Sequence, residues 1–157
     1  MLKKFDIMCT LEFEYAFPID YQLLIPILTD YEGYVEFLPS QLKSVRILEK
    51  NDVQVKTEEV IRFSSIVKNE IIQHCIHKNI NNLKLITEII SGPAKNSEII
   101  MDVFPTQNET IIRVSVKLKL SIKAKILEPL IKKYFKTTIM AVFRRIHSKI
   151  EKINKHV

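Results

Sequence analysis

The sequence predicts a single α+β domain, residues 1–157, in which a curved seven-stranded antiparallel sheet wraps a long C-terminal helix. Three observations predict it. Segments from residue 43 to residue 120 alternate apolar and polar residues with period two, and turn formers separate them. Residues 129–154 instead repeat their apolar residues at helical spacing. Between an opening strand and this sheet, the stretch from Pro18 to Pro39 carries the start and stop signals of two short helices.

The opening strand sets Phe5, Ile7, Cys9, Leu11, Phe13, Tyr15 and Phe17 on one face and Asp6, Thr10, Glu12 and Glu14 on the other. Pro18 ends it, because proline cannot donate to a sheet ladder. Asp20 is placed to cap a helix over Tyr21–Thr29, and Asp30 a second helical piece running into Phe37. Pro39 stops that piece, since the residue before proline avoids the helical region. Strands are expected at 43–50, 53–63, 65–77, 83–90, 97–104 and 110–120. Asn51-Asp52, Asn81-Asn82, Gly92-Pro93 and Gln107-Asn108 mark turns between them. The alternation breaks around Lys68, Asn69 and Glu70, where a bulge would fit. The inward sets read Leu83, Leu85, Thr87 and Ile89; Ile99, Met101 and Val103; and Ile112, Val114, Val116, Leu118 and Leu120.

A sheet with one apolar face needs a cover. Pro129 suits the first turn of a helix. The apolar stripe Ile131, Phe135, Thr138, Ile139, Val142, Ile146, Ile150 and Ile153 then faces the sheet, with Lys133, Lys136, Arg144, His147 and Glu151 opposite.

The composition is that of a globular protein, 46% hydrophobic and 27% charged, which excludes wholesale disorder. Two glycines, at positions 33 and 92, cannot build a Gly-rich phosphate loop. No nucleophile elbow, HExxH or Walker motif is present. The N-terminus has no apolar stretch of signal-peptide length, so a cytoplasmic location is expected. The formal charge is +6 and is concentrated late: from Lys117 to Lys155 the only acidic residues are Glu128 and Glu151. Lys132, Lys133, Lys136, Arg144, Lys152 and Lys155 make a basic helix face, which fits peripheral contact with an anionic membrane or a ribosome; a solvated face is the simpler reading. The aromatic residues lie on the apolar side, against a nucleic-acid stacking platform, and no DNA partner is expected.

His74, Cys75 and His77 are close in sequence, but the strand period puts only Cys75 and His77 on one face. Two ligands do not make a zinc site, so no metal and no cofactor are expected. Cys9 and Cys75 read as small buried thiols. Glu58 and Glu59 face opposite ways. Glu59 shares a face with Thr57 and Ile61, where burial would raise its pKa and suit it to acid catalysis; the simpler reading leaves it in water at a pocket mouth. No catalytic residue is assigned.

Leu28 to Pro39, reading Leu-Thr-Asp-Tyr-Glu-Gly-Tyr-Val-Glu-Phe-Leu-Pro, resembles the aspartate, tyrosine and phenylalanine-leucine-proline segment of the START/polyketide-cyclase (SRPBCC) superfamily. Val45 to Glu49 is similar to the strand that follows it there, and Gly92-Pro93, Pro105 and Tyr134-Phe135-Lys136 stand in similar places. Within the superfamily the chain looks most like coenzyme Q-binding START-like proteins and ribosome-association toxin relatives. Two residues depart from that pattern: Met101 stands where a tryptophan is frequent, and Ala94 where an aromatic residue follows the glycine-proline.

The resemblance implies a helix-grip (START-like, Bet v 1-like) fold. It implies non-enzymatic binding, transport or chaperoning of a hydrophobic small molecule, such as a quinone, isoprenoid or other lipid, in a cavity between sheet and helix. Thr57, Glu59, Leu85, Thr87, Met101, Val103, Val114, Val116, Tyr134, Phe135, Thr138 and Val142 are the expected cavity lining, and Tyr34, Phe37, Leu38 and Pro39 the expected gate. A ribosome- or protein-interaction module and a cyclase/dehydratase-like enzyme using Glu59 or Glu70 are the alternatives.

Overall fold

The computed structural model describes residues 6–62, 70–121 and 128–157. Its elements run β1 (Asp6–Phe17), α1 (Tyr21–Leu28), α2 (Tyr34–Phe37), β2 (Leu42–Lys50), β3 (Val55–Arg62), β4 (Glu70–Ile80), β5 (Lys84–Ser91), β6 (Glu98–Pro105), β7 (Thr110–Ser121) and α3 (Glu128–Lys155). The strands form one seven-stranded antiparallel sheet in the order β1-β7-β6-β5-β4-β3-β2. Strands β2 to β7 therefore make a meander, and the N-terminal strand pairs with the last one.

Local chemistry explains the corners. Asn81 and Asn82 take positive φ, 53° and 58°, between β4 and β5; asparagine tolerates that region better than most residues. Gly92 sits at φ 94°, and a Cβ there would lie 3.2 Å from the Ile72 carbonyl oxygen. Only glycine meets both demands. Irregular register within β2–β3 and at His74/Cys75 in β4–β5 bends the sheet.

The pairing of β1 with β7 sets Cys9 against Leu118, Phe13 against Val114 and Tyr15 against Ile112. Ile112, Val114, Val116 and Leu118 are fully buried, and α3 covers them with Ile139, Val142, Phe143, Ile146 and Ile150. Phe143 meets Phe17 edge-on, with ring centroids 5.2 Å apart. The helix thus lies across the concave face.

The short helices close one end. Asp20 caps α1 by accepting from the Gln22 N–H at 2.7 Å, and α1 buries Leu24, Ile25 and Leu28. Asp20→Ala is expected to cost about 1 kcal/mol in urea denaturation. Asp30 accepts from the Gly33 N–H at 3.2 Å and prepares the turn into α2. Arg145 of α3 donates to the Phe37 carbonyl oxygen. The Lys149 ammonium lies 3.6 Å from the Glu36 carboxylate and 5.6 Å from the Phe37 ring centroid. These contacts tie α2 to the long helix.

Three expectations need correction. Leu83 belongs to the β4–β5 turn, and its side chain is 46% exposed. Ile153 lies beyond the sheet, at 56% exposure. The stripe instead gains Phe143, which the helical spacing from Ile139 allows. His147 is half-buried rather than solvated, with Nδ1 3.0 Å from the Tyr15 hydroxyl. The strand expected from residue 65 is described only from Glu70, and the irregularity expected at Lys68 and Asn69 lies outside the described residues.

Candidate ligand site

Between the sheet and α3 lies a cavity of about 210 Å³. Its apolar walls come from Leu85, Ile99 and Met101 on the sheet and from Phe135, Ile139, Val142 and Phe143 on the helix. Tyr134 and Thr138 add hydroxyl groups on the helix side. Leu28, Tyr34 and Leu38, at the short helices, close one end.

One wall is polar, and the sheet register builds it. Thr57 on β3 stands opposite Cys75 on β4, and Glu59 opposite Gln73. His77 stands opposite Thr87 on β5. Residues two apart on a strand share a face, so Thr57, Glu59, Gln73, Cys75, His77 and Thr87 all point the same way. Gln73 Nε2 donates to Glu59 Oε2 at 3.0 Å and to Cys75 Sγ at 3.4 Å. The Thr57 hydroxyl lies 3.4 Å from Glu59 Oε1 and 2.9 Å from His77 Nε2. His77 Nδ1 lies 2.9 Å from the Thr87 hydroxyl. A continuous path of polar groups therefore runs Glu59, Thr57, His77, Thr87. The Tyr31 ring stacks on the His77 ring, with centroids 3.9 Å apart and planes 18° apart.

Burial sets the protonation states. It pushes the Glu59 carboxyl above the usual carboxylate range, although hydrogen bonds from Gln73, Cys75 and Thr57 pull the other way. The carboxylate retains 18% exposure because it faces the cavity. Burial lowers His77 to about 4, so the ring is neutral at pH 7. His77 Nε2 and Glu59 Oε1, 3.8 Å apart, are therefore not an ion pair; the Thr57 hydroxyl joins them. Burial pushes Tyr31 up to about 12, and the Cys75 thiol and the Tyr34 hydroxyl also rise, so all three stay protonated. Tyr34 donates to the Leu28 carbonyl oxygen at 2.7 Å, which leaves its ring, not its hydroxyl, as the cavity contact.

The outer face of the same strands behaves differently. Glu58 accepts from Arg46 at 3.0 Å and lies 3.2 Å from His74 Nε2, and its pKa is lowered, chiefly by the His74 hydrogen bond. His74 points away from the cavity, as the strand period requires. Glu70 is exposed and pairs with Lys43 at 2.8 Å, which removes it as an interior acid. Glu59, in contrast, does not stand in water at a pocket mouth: its side chain is mostly buried on the cavity wall.

Of the residues expected to line the cavity, Glu59, Leu85, Thr87, Met101, Tyr134, Phe135, Thr138 and Val142 are on its wall. Val103, Val114 and Val116 belong to the solid core, where α3 presses directly on the sheet. Thr57 is fully buried behind Glu59 and His77 and acts through them. At the expected gate, Tyr34 and Leu38 reach the cavity. Phe37 is buried, with its ring beneath Lys149, and Pro39 is exposed on the outer surface. Sequence reasoning missed Tyr31 and Gln73 and did not join Cys75 and His77 to Glu59. On the basic helix face, Lys132 pairs with Glu128 within the helix at 3.3 Å. Among the described residues, no helix is long and apolar enough to cross a membrane.

No protein-family profile matches the sequence, and no curated protein sequence matches it. Solved structures do. A START superfamily protein from Mycobacterium smegmatis superposes with a TM-score of 0.74 at 14% identity, over 92% of this chain and 98% of that one. The Zhui aromatase/cyclase from a Streptomyces species gives 0.74 at 13% identity, over 92% and 96%. Norcoclaurine synthase from Thalictrum flavum, in complex with dopamine and hydroxybenzaldehyde, gives 0.68 at 14% identity, over 90% and 87%. The fold is a START-like helix-grip. At these identities the likeness carries the fold alone. The nearer resemblance to coenzyme Q-binding and ribosome-association relatives has no counterpart in these structures.

Proposed function

We propose that this helix-grip protein binds a compact hydrophobic molecule and holds that molecule's one polar group against the wall made by Glu59, Gln73 and His77. The observation that carries this reading is the asymmetry of the cavity: apolar side chains surround most of it, and its hydrogen-bonding groups converge on one side. Each ligand CH₂ moved from water into such a space gains about 0.8 kcal/mol. The polar group then sets orientation, because a buried donor or acceptor without a partner costs about 1–3 kcal/mol.

The size of the cavity narrows the ligand. At about 210 Å³ it falls below the roughly 300 Å³ at which drug-sized pockets begin. A ring-sized group fits inside; a long isoprenoid or acyl tail would extend beyond the cavity. A quinone or prenyl lipid therefore enters head first, with its ring against the polar wall.

Displacement of an environment-sensitive fluorophore by a panel of quinones, phenols and prenyl alcohols, each beside its hydrocarbon analogue, tests the reading. The polar members are expected to bind more tightly. Glu59→Gln is expected to reduce that preference by about tenfold, the equivalent of one lost hydrogen bond to a charged group. Equal affinity for polar and hydrocarbon members, unchanged in the variant, would remove the role assigned to this wall.

The path Glu59–Thr57–His77–Thr87 favours one second reading, proton transfer to or from the bound molecule by a carboxyl of raised pKa. The two readings separate on the fate of the ligand. A carrier releases it unchanged, whereas an enzyme returns a rearranged product that Glu59→Gln no longer makes.

A further inference from the structure

We propose that Glu59, Cys75 and His77 form a zinc site on the polar wall of the cavity. A carboxylate oxygen, a sulfur and an imidazole nitrogen from these residues lie within 4.8 Å of one another. A point central to three such atoms is at most about 2.8 Å from each. Zinc bonds of 2.0–2.3 Å therefore require each donor to move by less than about an ångström, which side-chain rotation supplies. The donors come from two paired strands, with Cys75 and His77 two residues apart on β4 and Glu59 diagonally across on β3. A sheet holds such a set more firmly than a loop does.

The neighbouring groups already orient the donors as ligands. Gln73 holds Glu59 Oε2 and leaves Oε1 on the side of His77. In the tautomer whose Nδ1–H donates to Thr87, His77 Nε2 carries a lone pair, 2.9 Å from the Thr57 hydroxyl and 3.8 Å from Glu59 Oε1; a metal ion would take that lone pair in place of the Thr57 proton. A metal-bound histidine that donates its other N–H in this way is the usual arrangement.

The charges balance as well. A carboxylate and a thiolate together cancel the two charges of the ion, and His77 is neutral. Zinc binding displaces the Cys75 proton to solvent, since the coordinated form is the thiolate. Three protein ligands leave a fourth tetrahedral position. All three residues border the cavity, so that position opens into the cavity. The soft sulfur selects zinc over magnesium or calcium, which take oxygen ligands. The expectation of no metal rested on Cys75 and His77 alone; the fold adds Glu59.

The metal site shares Glu59 and His77 with the proposed ligand wall, but its occupancy is measured with no hydrophobic molecule present, so the failure of one reading is distinguishable from the failure of the other. Cobalt(II) added to untagged, chelator-treated protein reports the site directly. One equivalent is expected to bind with a near-ultraviolet thiolate-to-metal band and strong visible bands of tetrahedral geometry, and zinc is expected to displace it. Cys75→Ser is expected to abolish the near-ultraviolet band, and Glu59→Gln to weaken binding at least tenfold. Cys9→Ser leaves Cys75 as the only thiol of the chain and is expected to change nothing, so this variant assigns the band even if Cys75→Ser does not fold. A wild-type protein without the near-ultraviolet band, loss of the band in Cys9→Ser, or full affinity in Glu59→Gln overturns the site.

Discussion

Met101→Trp is expected to weaken binding of a hydrophobic ligand roughly fifty-fold while the protein remains folded. Met101 lies on β6, paired with Val114 on one side and Leu85 on the other, and its side chain borders the cavity. It is partly buried, so a larger residue can grow into the hollow rather than into packed neighbours. Overfilling a solid core costs about 1–3 kcal/mol; filling a hollow costs less. The indole would displace several ligand atoms. Losing three methylenes at ~0.8 kcal/mol each removes about 2.4 kcal/mol, which is roughly fifty-fold in Kd. Val114→Trp is the contrasting variant. Val114 is fully buried in the solid core, so this change is expected to lower stability instead. Fluorophore titration and urea denaturation of both variants separate the two effects. Undiminished binding by a folded Met101→Trp protein would place the ligand elsewhere.

The second large effect is a dependence of stability on pH that resides in His77. Burial lowers its pKa to about 4 in the folded protein, against 6.5 for an unburied imidazole. Between those values the unfolded chain takes up a proton that the native chain does not. The contribution of His77 is therefore complete above about pH 6.5 and is lost as the pH falls toward 4. A difference of this size amounts to about 3 kcal/mol. Glu59 acts with the opposite sign: its raised pKa gives stability at low pH that declines as the pH rises. Comparison of metal-free wild type with His77→Gln largely cancels that term, because Glu59 is present in both. The wild type is expected to lose about 3 kcal/mol relative to the variant between pH 7 and pH 4 in urea titrations. A constant difference across that range would show that His77 titrates normally and is not enclosed.

The parts of the fold legible in the sequence are those in which a single period persists. Strand β7 alternates from Ile112 to Leu120, and the Asn81-Asn82 and Gly92-Pro93 pairs mark turns whose positive φ values the structure shows at Asn81, Asn82 and Gly92. The stripe on α3 from Ile139 to Ile150 needs only helical spacing to be read, and these residues are buried. Period two alone cannot tell a residue that borders a hollow from one that meets the helix. Met101 and Val103 share a face, yet only Met101 reaches the cavity; the difference lies in where α3 crosses the sheet. Val114 and Val116 were likewise indistinguishable from true lining residues.

The polar wall was hidden for a different reason. Its members come from three strands, and their meeting depends on the register of β4 against β3 and β5. Residues 63–69 contain no glycine or proline to mark a turn, so nothing in the sequence set Glu59 opposite Gln73 or brought it diagonally to Cys75. Tyr31 was hidden as well, because its stacking on His77 depends on how the segment between α1 and α2 folds onto β4. The sequence signal that did exist, Cys75 and His77 on one face, carried two donors of a group that the fold enlarges.

Native mass spectrometry of the purified protein beside Met101→Trp tests the cavity most directly. The account predicts that, after incubation with a ring-sized quinone or phenol, the wild type carries one molecule per chain and the variant carries far less at the same concentration. Equal loading of both proteins, or no loading of the wild type by any polar hydrophobic ligand, would contradict it.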